Sequence, residues 1–358
     1  MDYPLGQRLR ELPGPLMLTG HTGFKGTWMT FLLEHLNIQV VGYSLPAEID
    51  SLYDRAKRTG AIPEALADIR NYTALEKFID LYKPSTIIHM AAQPLVLKSY
   101  ESPRETFDVN VSGTVNVLDI AYKKDFIKAM IIVTTDKVYR NDNSGRAFVE
   151  TDPLEGKDPY SASKVGTEAV VAAWQQIAKV SGGPRVISVR AGNVIGGGDF
   201  AENRIIPDLI RGSMTGNPVQ IRNPESTRPW QHVLDPLVGY IMTLETLIEK
   251  EISGSLNFGP KDASIPVSEV VKMGAEIISQ IKTLLPDQSG HLPKVEAQVL
   301  NLNSDLAVHY LNWKPVWTQE NAIKKTFAWW NKYLTENINP NELCFQDLQE
   351  FERSRSKQ

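Results

Sequence analysis

Cysteine is almost absent: Cys344 is the only one in 358 residues. A single thiol excludes an internal disulfide framework and suits a reducing compartment, with Cys344 itself read as a packing residue near the C-terminus. The six histidines are scattered with no CxxC or HExxH spacing, so no structural or catalytic metal is expected. No stretch approaches the roughly 18 apolar residues of a membrane span, and Asp2, Arg8, Arg10 and Glu11 interrupt what would be the apolar part of a signal peptide. These absences predict a cytoplasmic protein with no membrane partner. Net positive charge is lacking too, since 38 Lys and Arg face 42 Asp and Glu for a formal charge of −4. Without a basic stripe a nucleic-acid partner is not expected, and any cationic pocket has to be local.

What the chain does have is 42% hydrophobic residues, enough for one large domain and a smaller one. Residues 15–26 organise the rest: a short apolar run stops at Gly20, Gly23 and Gly26, three residues apart. In a strand–turn–helix setting Gly20 allows the tight turn, Gly23 lets backbone N–H groups approach a pyrophosphate, and Gly26 lets the helix pack closely on the sheet. A plain glycine turn is the alternative for the motif alone. The helical spacing of 27–36 and a second apolar run at 38–43 supply the βαβ context that favours the dinucleotide reading.

Apolar runs at 15–19, 38–43, 66–69, 86–91, 128–134 and 185–191 alternate with helical patterns at 27–36, 73–82, 104–123 and 159–180. That alternation predicts an α/β protein, a doubly wound parallel Rossmann sheet with ligand at the C-terminal ends of its strands. After about residue 192 the texture turns to glycine- and proline-rich turns, with short strands at 219–222 and 255–258 and helices at 266–283 and 319–334, the former capped by Ser268. We therefore expect a dinucleotide-binding domain over 1–192, with an extension at 1–14. A smaller α+β substrate-binding lid follows over 193–338, with some segments returning to the sheet, and a tail over 339–358 that frays.

The second strand of an NAD-binding unit usually ends in an acid for the adenosine ribose, but this chain reads Gly42-Tyr43-Ser44-Leu45. Ser44 can bond a 2′-hydroxyl, and Lys25 or Arg55 can reach a 2′-phosphate, so both NAD and NADP stay open. Asp68 and Ile69 close the third strand, where Asp68 can accept from the adenine amine or merely cap a helix. Ala91 and Ala92 close the fourth and leave room for a ribose, while His89 reads as a satisfied core histidine.

The chemistry sits further on. Thr135-Asp136-Lys137 ends the fifth strand, and Tyr160 and Lys164, four residues apart, share one face of the next helix. An ammonium beside a phenol favours phenolate, giving a base for a sugar hydroxyl as hydride leaves to nicotinamide. Lys164 can also hold the nicotinamide ribose. Asp136 and Lys137 exceed what oxidation needs, unless they only pair with each other in a surface turn. The added step they fit is elimination: beside a C4 ketone the C5 proton is acidic, a base removes it, an acid protonates the leaving C6 hydroxyl, and hydride returns to C6. The cofactor is then regenerated each turnover and can stay tightly bound.

These strings resemble the extended short-chain dehydrogenase/reductase family over about residues 14–330, and within it the CDP-glucose 4,6-dehydratase subgroup. The wider family is carried by Thr19-Gly20-His21-Thr22-Gly23-Phe24-Lys25-Gly26, Asp68-Ile69-Arg70, Asn110 and Pro159-Tyr160-Ser161-Ala162-Ser163-Lys164. The subgroup is carried by His21 with Phe24-Lys25-Gly26, Ala92-Gln93-Pro94-Leu95-Val96, Thr135-Asp136-Lys137, the run from Arg190 to Asp199, and Arg228-Pro229-Trp230-Gln231-His232-Val233. The resemblance implies Tyr160 as C4 base, Lys164 as its partner, Thr135 as a hydrogen-bonding aid, Asp136 as acid at C6 and Lys137 near C5. The related dTDP-glucose enzymes have a glutamate base at the position of Lys137, so the C5 base stays open here; Lys137 serves only if neutral, which burial beside Tyr160 or Lys164 would favour. His21 and Lys25 become side chains able to face the cofactor phosphates. Arg204, Arg222 and Arg228 suit a substrate diphosphate, joined by Asn193 and Gln93. Gly196-Gly197-Gly198 reads as a second anion loop or a hinge. A homodimer through helices 104–123 and 159–180 is implied as well. The rival functions are a nucleotide-sugar 4-epimerase or reductase, a 4,6-dehydratase for a dTDP, UDP or GDP sugar, and a non-catalytic dinucleotide-binding protein.

Overall fold

The computed structural model describes residues 4–284 and 299–357. Seven strands form the central sheet: β1 Leu16–Thr19, β2 Val40–Ser44, β3 Glu64–Leu66, β4 Thr86–His89, β5 Ala129–Val133, β6 Arg185–Ala191 and β7 Ser255–Phe258. Their order is β7-β6-β5-β4-β1-β2-β3, and every pairing is parallel. Continuous apolar strands such as Ala129-Met130-Ile131-Ile132-Val133 demand cover on both faces, and they receive it. The main helices are α1 Phe24–His35, α2 Tyr72–Tyr82, α3 Gly113–Tyr122, α4 Pro159–Ser181, α5 Ile205–Thr215, α6 Leu234–Glu249, α7 Gln319–Glu336 and α8 Pro340–Arg355.

Successive residues of a strand point to opposite faces, and β1 divides the core accordingly. Leu16 and Leu18 join Trp28, Phe31, Leu237 and Ile241 on the side of α1 and α6, whereas Met17 joins Leu75, Val117 and Val171 on the side of α2, α3 and α4. The order reverses between β1 and β4, and the crevice at that switch point lies outside the strand ends.

The expected doubly wound sheet is present, with four differences in its elements. β3 covers Glu64–Leu66 rather than 66–69, which leaves Asp68 and Ile69 in the loop beyond it. Residues 255–258 pair with β6 as the seventh strand of the sheet, because α6 crosses over on the α1 side and returns the chain to that edge. The helix expected over 104–123 is broken: Pro103–Phe107 is α-helical, Asp108–Ser112 is a π-turn, and α3 follows. The π-turn brings Asn110 inward, where its amide donates to Gln93 O and Ser163 Oγ and accepts from Gln93 N. Helix 266–283 stops at Ile277 and starts without a side-chain cap from Ser268.

The C-terminal segment is the largest correction. Residues 340–355 form α8 instead of fraying, with Asn339 capping its first turn and Leu343, Cys344, Leu348 and Phe351 all buried. Phe345 meets Phe31 edge-on at 5.5 Å, and Phe351 meets Trp317 at 5.1 Å. A polar final hexapeptide hid an amphipathic helix upstream of it. Phe351→Ala is therefore expected to cost about 3–5 kcal/mol in denaturant or thermal unfolding; a cost below about 1 kcal/mol, that of a change at an unpacked surface position, would show that α8 is not part of the core.

Candidate active site

The cradle forms because a glycine at each of two crossing points is the only residue that fits. Gly20 has φ +73°, and a Cβ there would lie 2.7 Å from Ala91 N; a Cβ on Gly26 would lie 2.1 Å from Gly20 O. Gly23 has room by comparison, with Gly20 O 3.5 Å from its Cβ position. It is the N-cap of α1 and supplies no side-chain cap, so the first N–H groups of the helix face the cleft without a side-chain acceptor. Such an end suits an anion, and these residues fit the pyrophosphate of a dinucleotide.

A cleft of about 1760 Å³ runs from this cradle across the strand ends into the segments after residue 192. Phe24, Lys25, Ser44, Asp68, Ile69, Ala91, Ala92, Gln93, Thr135, Asp136, Lys137, Tyr160, Lys164, Asn193, Arg204, Arg222 and Arg228 all line it, together with the three glycines. Of the residues read from sequence as facing cofactor or substrate, His21, Arg55 and Gly197 fall outside it.

His21 is turned behind the cradle. Its ring fills the space above Gly42, where a Cβ would come within 2.6 Å, and Nε2 meets Glu64 at 2.7 Å. Tyr53 Oη and Gly60 N also donate to that carboxylate, at 3.0 and 2.7 Å. Burial holds the His21 pKa below its ordinary value although Glu64 opposes it. His21 thus braces the loop from the sheet side and cannot face the phosphates.

At the adenosine end Ser44 Oγ is bonded to Thr22 Oγ1 at 2.7 Å, and the Asp68 carboxylate accepts from both the side chain and the backbone N–H of Arg70. Arg55 is committed to Asp50, with Nη1 also donating to Tyr333 Oη. Lys25 lies at the opposite, reacting end. Burial, with the charges of Arg204 and Lys164, lowers its pKa to about 8 against the opposing charge of Asp136. Neither cation expected to reach a 2′-phosphate is placed to do so.

Gln93 borders the cleft, but its amide is used within the protein: Nε2 donates to Leu95 O and Thr106 Oγ1, and Oε1 accepts from Leu95 N. Gly196-Gly197-Gly198 runs against packed side chains: a Cβ on Gly197 would strike the Trp329 ring at 2.0 Å and one on Gly198 would strike Leu52 at 2.5 Å, so close packing is a sufficient reason for these glycines. His89 is a core residue, held neutral by burial and bonded to Thr19 and Thr114.

The groups expected from sequence to react converge at the end of β5. Thr135 caps a short 3₁₀ turn and donates to Asp136 Oδ1 at 3.1 Å. Asp136 is buried and its Oδ2 has no hydrogen-bond partner. Burial raises its pKa, against the opposing pull of Lys137, Thr135, Arg228 and Lys25. An Asp158–Ser161 capping box and Pro159 fix the start of α4, so Tyr160 stands in its first turn. Burial pushes Tyr160 up to about 12, while its hydrogen bond with Thr135 and the charge of Arg204 work the other way. Lys164 does not bond the phenol; its ammonium donates to Val133 O at 3.0 Å. Lys137 is half-buried at the cleft edge, and Asn193 stands on a short strand paired with Trp230–His232. Arg204 is paired with Asp199 at 2.9 Å, Arg228 is buried with Nη1 on Thr227 O, and Arg222 is exposed on the outer rim. No cluster of metal-ligating side chains occurs among the described residues.

A Rossmann cradle joined to a Thr, Tyr and Lys set defines a class, and the chain belongs to it: it is a member of the NAD-dependent epimerase/dehydratase family, whose model matches residues 16–259. It is 38% identical over 327 residues to the CDP-glucose 4,6-dehydratase of Salmonella typhimurium, covering 88% of this chain and 89% of that one. The dTDP-glucose 4,6-dehydratase of Haemophilus influenzae is 24% identical, over 88% of this chain and 97% of its own. In fold the chain is similar to a Bacillus anthracis dTDP-glucose 4,6-dehydratase solved with NAD (TM-score 0.74, 20% identity, 92% and 99% covered). It is likewise similar to a UDP-glucose 4-epimerase from Stenotrophomonas maltophila with bound NAD (TM-score 0.77, 18% identity, 91% and 100% covered).

Sequence reasoning missed Glu168, Asn110 as a brace, and the placement of Lys25. For Glu168 the signal was available in its spacing, four residues after Lys164 on the same face of α4. The cradle carries its own test. Gly20→Ala adds both left-handed strain and a backbone collision, and is expected to weaken NAD binding at least about tenfold by calorimetry, whereas Gly60→Ala, with φ +76° and nothing within 4 Å, adds strain alone, about 1–2 kcal/mol of stability. Equal NAD affinity in the two variants would contradict the proposed fit.

Proposed function

We propose that this chain is an NAD-dependent CDP-glucose 4,6-dehydratase. The observation that carries this is the convergence of Thr135, Asp136, Lys137 and Tyr160 at one strand end, in a chain whose CDP-glucose relative is far more similar than its dTDP-glucose ones. The adenosine end supports NAD over NADP, because Arg55 and Lys25 are engaged elsewhere and Glu48 is an acidic neighbour in the cleft lining. NAD, when bound, supplies the oxidant for C4 and the reductant for C6 within one turnover.

The protein's part is proton handling and placement. Tyr160 takes the proton of the C4 hydroxyl, with Thr135 and Arg204 favouring its phenolate. Asp136, whose carboxyl burial shifts towards its protonated form, has an oxygen without a hydrogen-bond partner among the described residues from which to donate to the departing C6 hydroxyl. Lys137 is the candidate for the C5 proton. Arg204, Arg222 and Arg228 with Asn193 offer donors for the diphosphate in the lid segments after residue 192. A homodimer through segment 104–123 and α4 belongs to the same reading, supported by the exposed apolar side chains of Phe107, Ile177 and Val180. So does a cytoplasmic location, supported by the single buried thiol; no described helix is long and apolar enough to cross a membrane.

Incubation with CDP-, dTDP-, UDP- and GDP-glucose should give loss of one water from the CDP sugar, read by product mass. Loss from none of the four overturns the dehydratase reading, and unchanged mass with a changed C4 configuration replaces it with epimerisation. Tyr160→Phe should abolish reduced-cofactor absorbance in a single turnover. Asp136→Asn should still accumulate that absorbance while water loss slows by about 10²-fold or more; parallel loss of both steps would remove Asp136 from its role.

A further inference from the structure

The helix that carries Tyr160 and Lys164 is tied to the sheet at one further place. Glu168 stands one turn beyond Lys164 on α4 and is buried. Its Oε1 accepts from Thr134 Oγ1 at 2.5 Å and Arg190 Nε at 2.9 Å, and its Oε2 accepts from Ser188 Oγ at 2.6 Å and Arg190 Nη2 at 2.8 Å. Arg190 continues the chain of contacts through Nη1 to Tyr139 Oη at 2.8 Å, and that hydroxyl donates to Asn257 Oδ1 at 2.7 Å on β7. One ion pair thus joins α4 to the ends of β5, β6 and β7. Thr134 immediately precedes Thr135, and Arg190 lies three residues before Asn193, so the pair is fastened to both strand ends that bear site residues.

A buried pair of this kind is a costly way to gain stability, since apolar residues of the same volume often do as well. Its placement beside Lys164 gives it another use. We propose that Glu168 and Arg190 form a positioning pair that sets the charge and the seat of the Lys164 ammonium. The proposal rests on the reading of Tyr160 and Lys164 as the reacting pair. Lys164 shares the cleft with Lys25 of α1, on which its charge acts, as it does on His89 of β4. Burial brings the Lys164 pKa down to about 8 against the opposing charge of Glu168. Arg190, by holding Glu168 in a fork, fixes how much of that negative charge Lys164 receives; Tyr139 and the half-buried Glu150 are the other titratable groups against Arg190.

Opposite signs follow for the two halves of the pair. In Glu168→Gln the supporting charge is lost and Arg190 is left unpaired, so Lys164 gives up its proton at lower pH. In Arg190→Gln the carboxylate is no longer neutralised, so Lys164 keeps its proton to higher pH. A fold defect alone moves both variants the same way.

Competitive labelling of lysines with an amine-reactive reagent across pH, read on the Lys164 peptide by mass spectrometry, measures this without substrate. We expect the midpoint to fall by at least about half a pH unit in Glu168→Gln and to rise by a similar amount in Arg190→Gln. The basic limb of kcat for CDP-glucose should follow in each case, with KM within about twofold. The double variant Glu168→Gln/Arg190→Gln should return towards the parent midpoint, and it keeps the test readable if the unpaired arginine destabilises the single one. Shifts of the same sign, or an unmoved Lys164 midpoint in all three variants, overturn the proposal. Opposite shifts in a protein that dehydrates none of the four nucleotide sugars uphold the pair and overturn the dehydratase reading instead.

Discussion

The structure depends on a backbone crossing too tight for a side chain. The Gly20 carbonyl passes within 2.1 Å of where a Gly26 Cβ would stand, and Gly20 itself is pressed against Ala91. That contact sets α1 directly on the ends of β1 and β4, which is where the strand order reverses. Everything chemical follows from it. With all seven strands parallel, the ends of β4, β5 and β6 open to the same edge, and residues distant in sequence, from Lys25 to Arg228, meet around one cleft.

The same edge explains how an acidic protein maintains a cationic site. The chain carries a formal charge of −4, yet Lys137, Arg228 and Lys25 all act on the buried carboxyl of Asp136, and Arg204 and Lys164 act on Lys25 in turn. Desolvation dominates at four groups of the cleft: it lowers Lys25 and Lys164 towards neutrality and raises Asp136 and Tyr160 towards their protonated forms. The two lysines thereby come within reach of proton exchange near neutral pH, which suits a reaction of several proton movements.

How much of this was legible in the sequence depended on whether a residue's role was local. The sheet, the three glycines and the convergence of Thr135, Asp136 and Tyr160 followed from apolar periodicity and spacing, which report local geometry. The misread side chains were mostly those bonded or packed outside their own segment. His21 reads as a loop residue beside a phosphate site, but Glu64, 43 residues on, draws it behind the loop. Gln93 reads as a ligand group until Thr106 and Leu95 consume its amide. Gly196 to Gly198 reads as flexible because nothing local shows that Trp329 and Leu52 press on it. The C-terminal helix was concealed for the converse reason, its apolar stripe being short and its partners Phe31 and Trp317 remote.

Glu168 is instructive in the opposite direction, because its spacing from Lys164 was visible and its meaning was not. An acid four residues after a lysine on a helix is ordinarily a solvated pair worth a few tenths of a kcal/mol. Here the acid turns inward to Arg190, and the lysine turns to the Val133 carbonyl, so the two never touch. A direct contact would have fixed the lysine to the acid and taken it out of the cleft. Separation by one helical turn leaves the ammonium at the strand end while the carboxylate still acts on it through a low-dielectric interior, where charge is felt over longer distances than in water. The clamp and the reactive group can therefore share a helix without the one immobilising the other, which a site needs if its lysine is to change partners when ligand arrives.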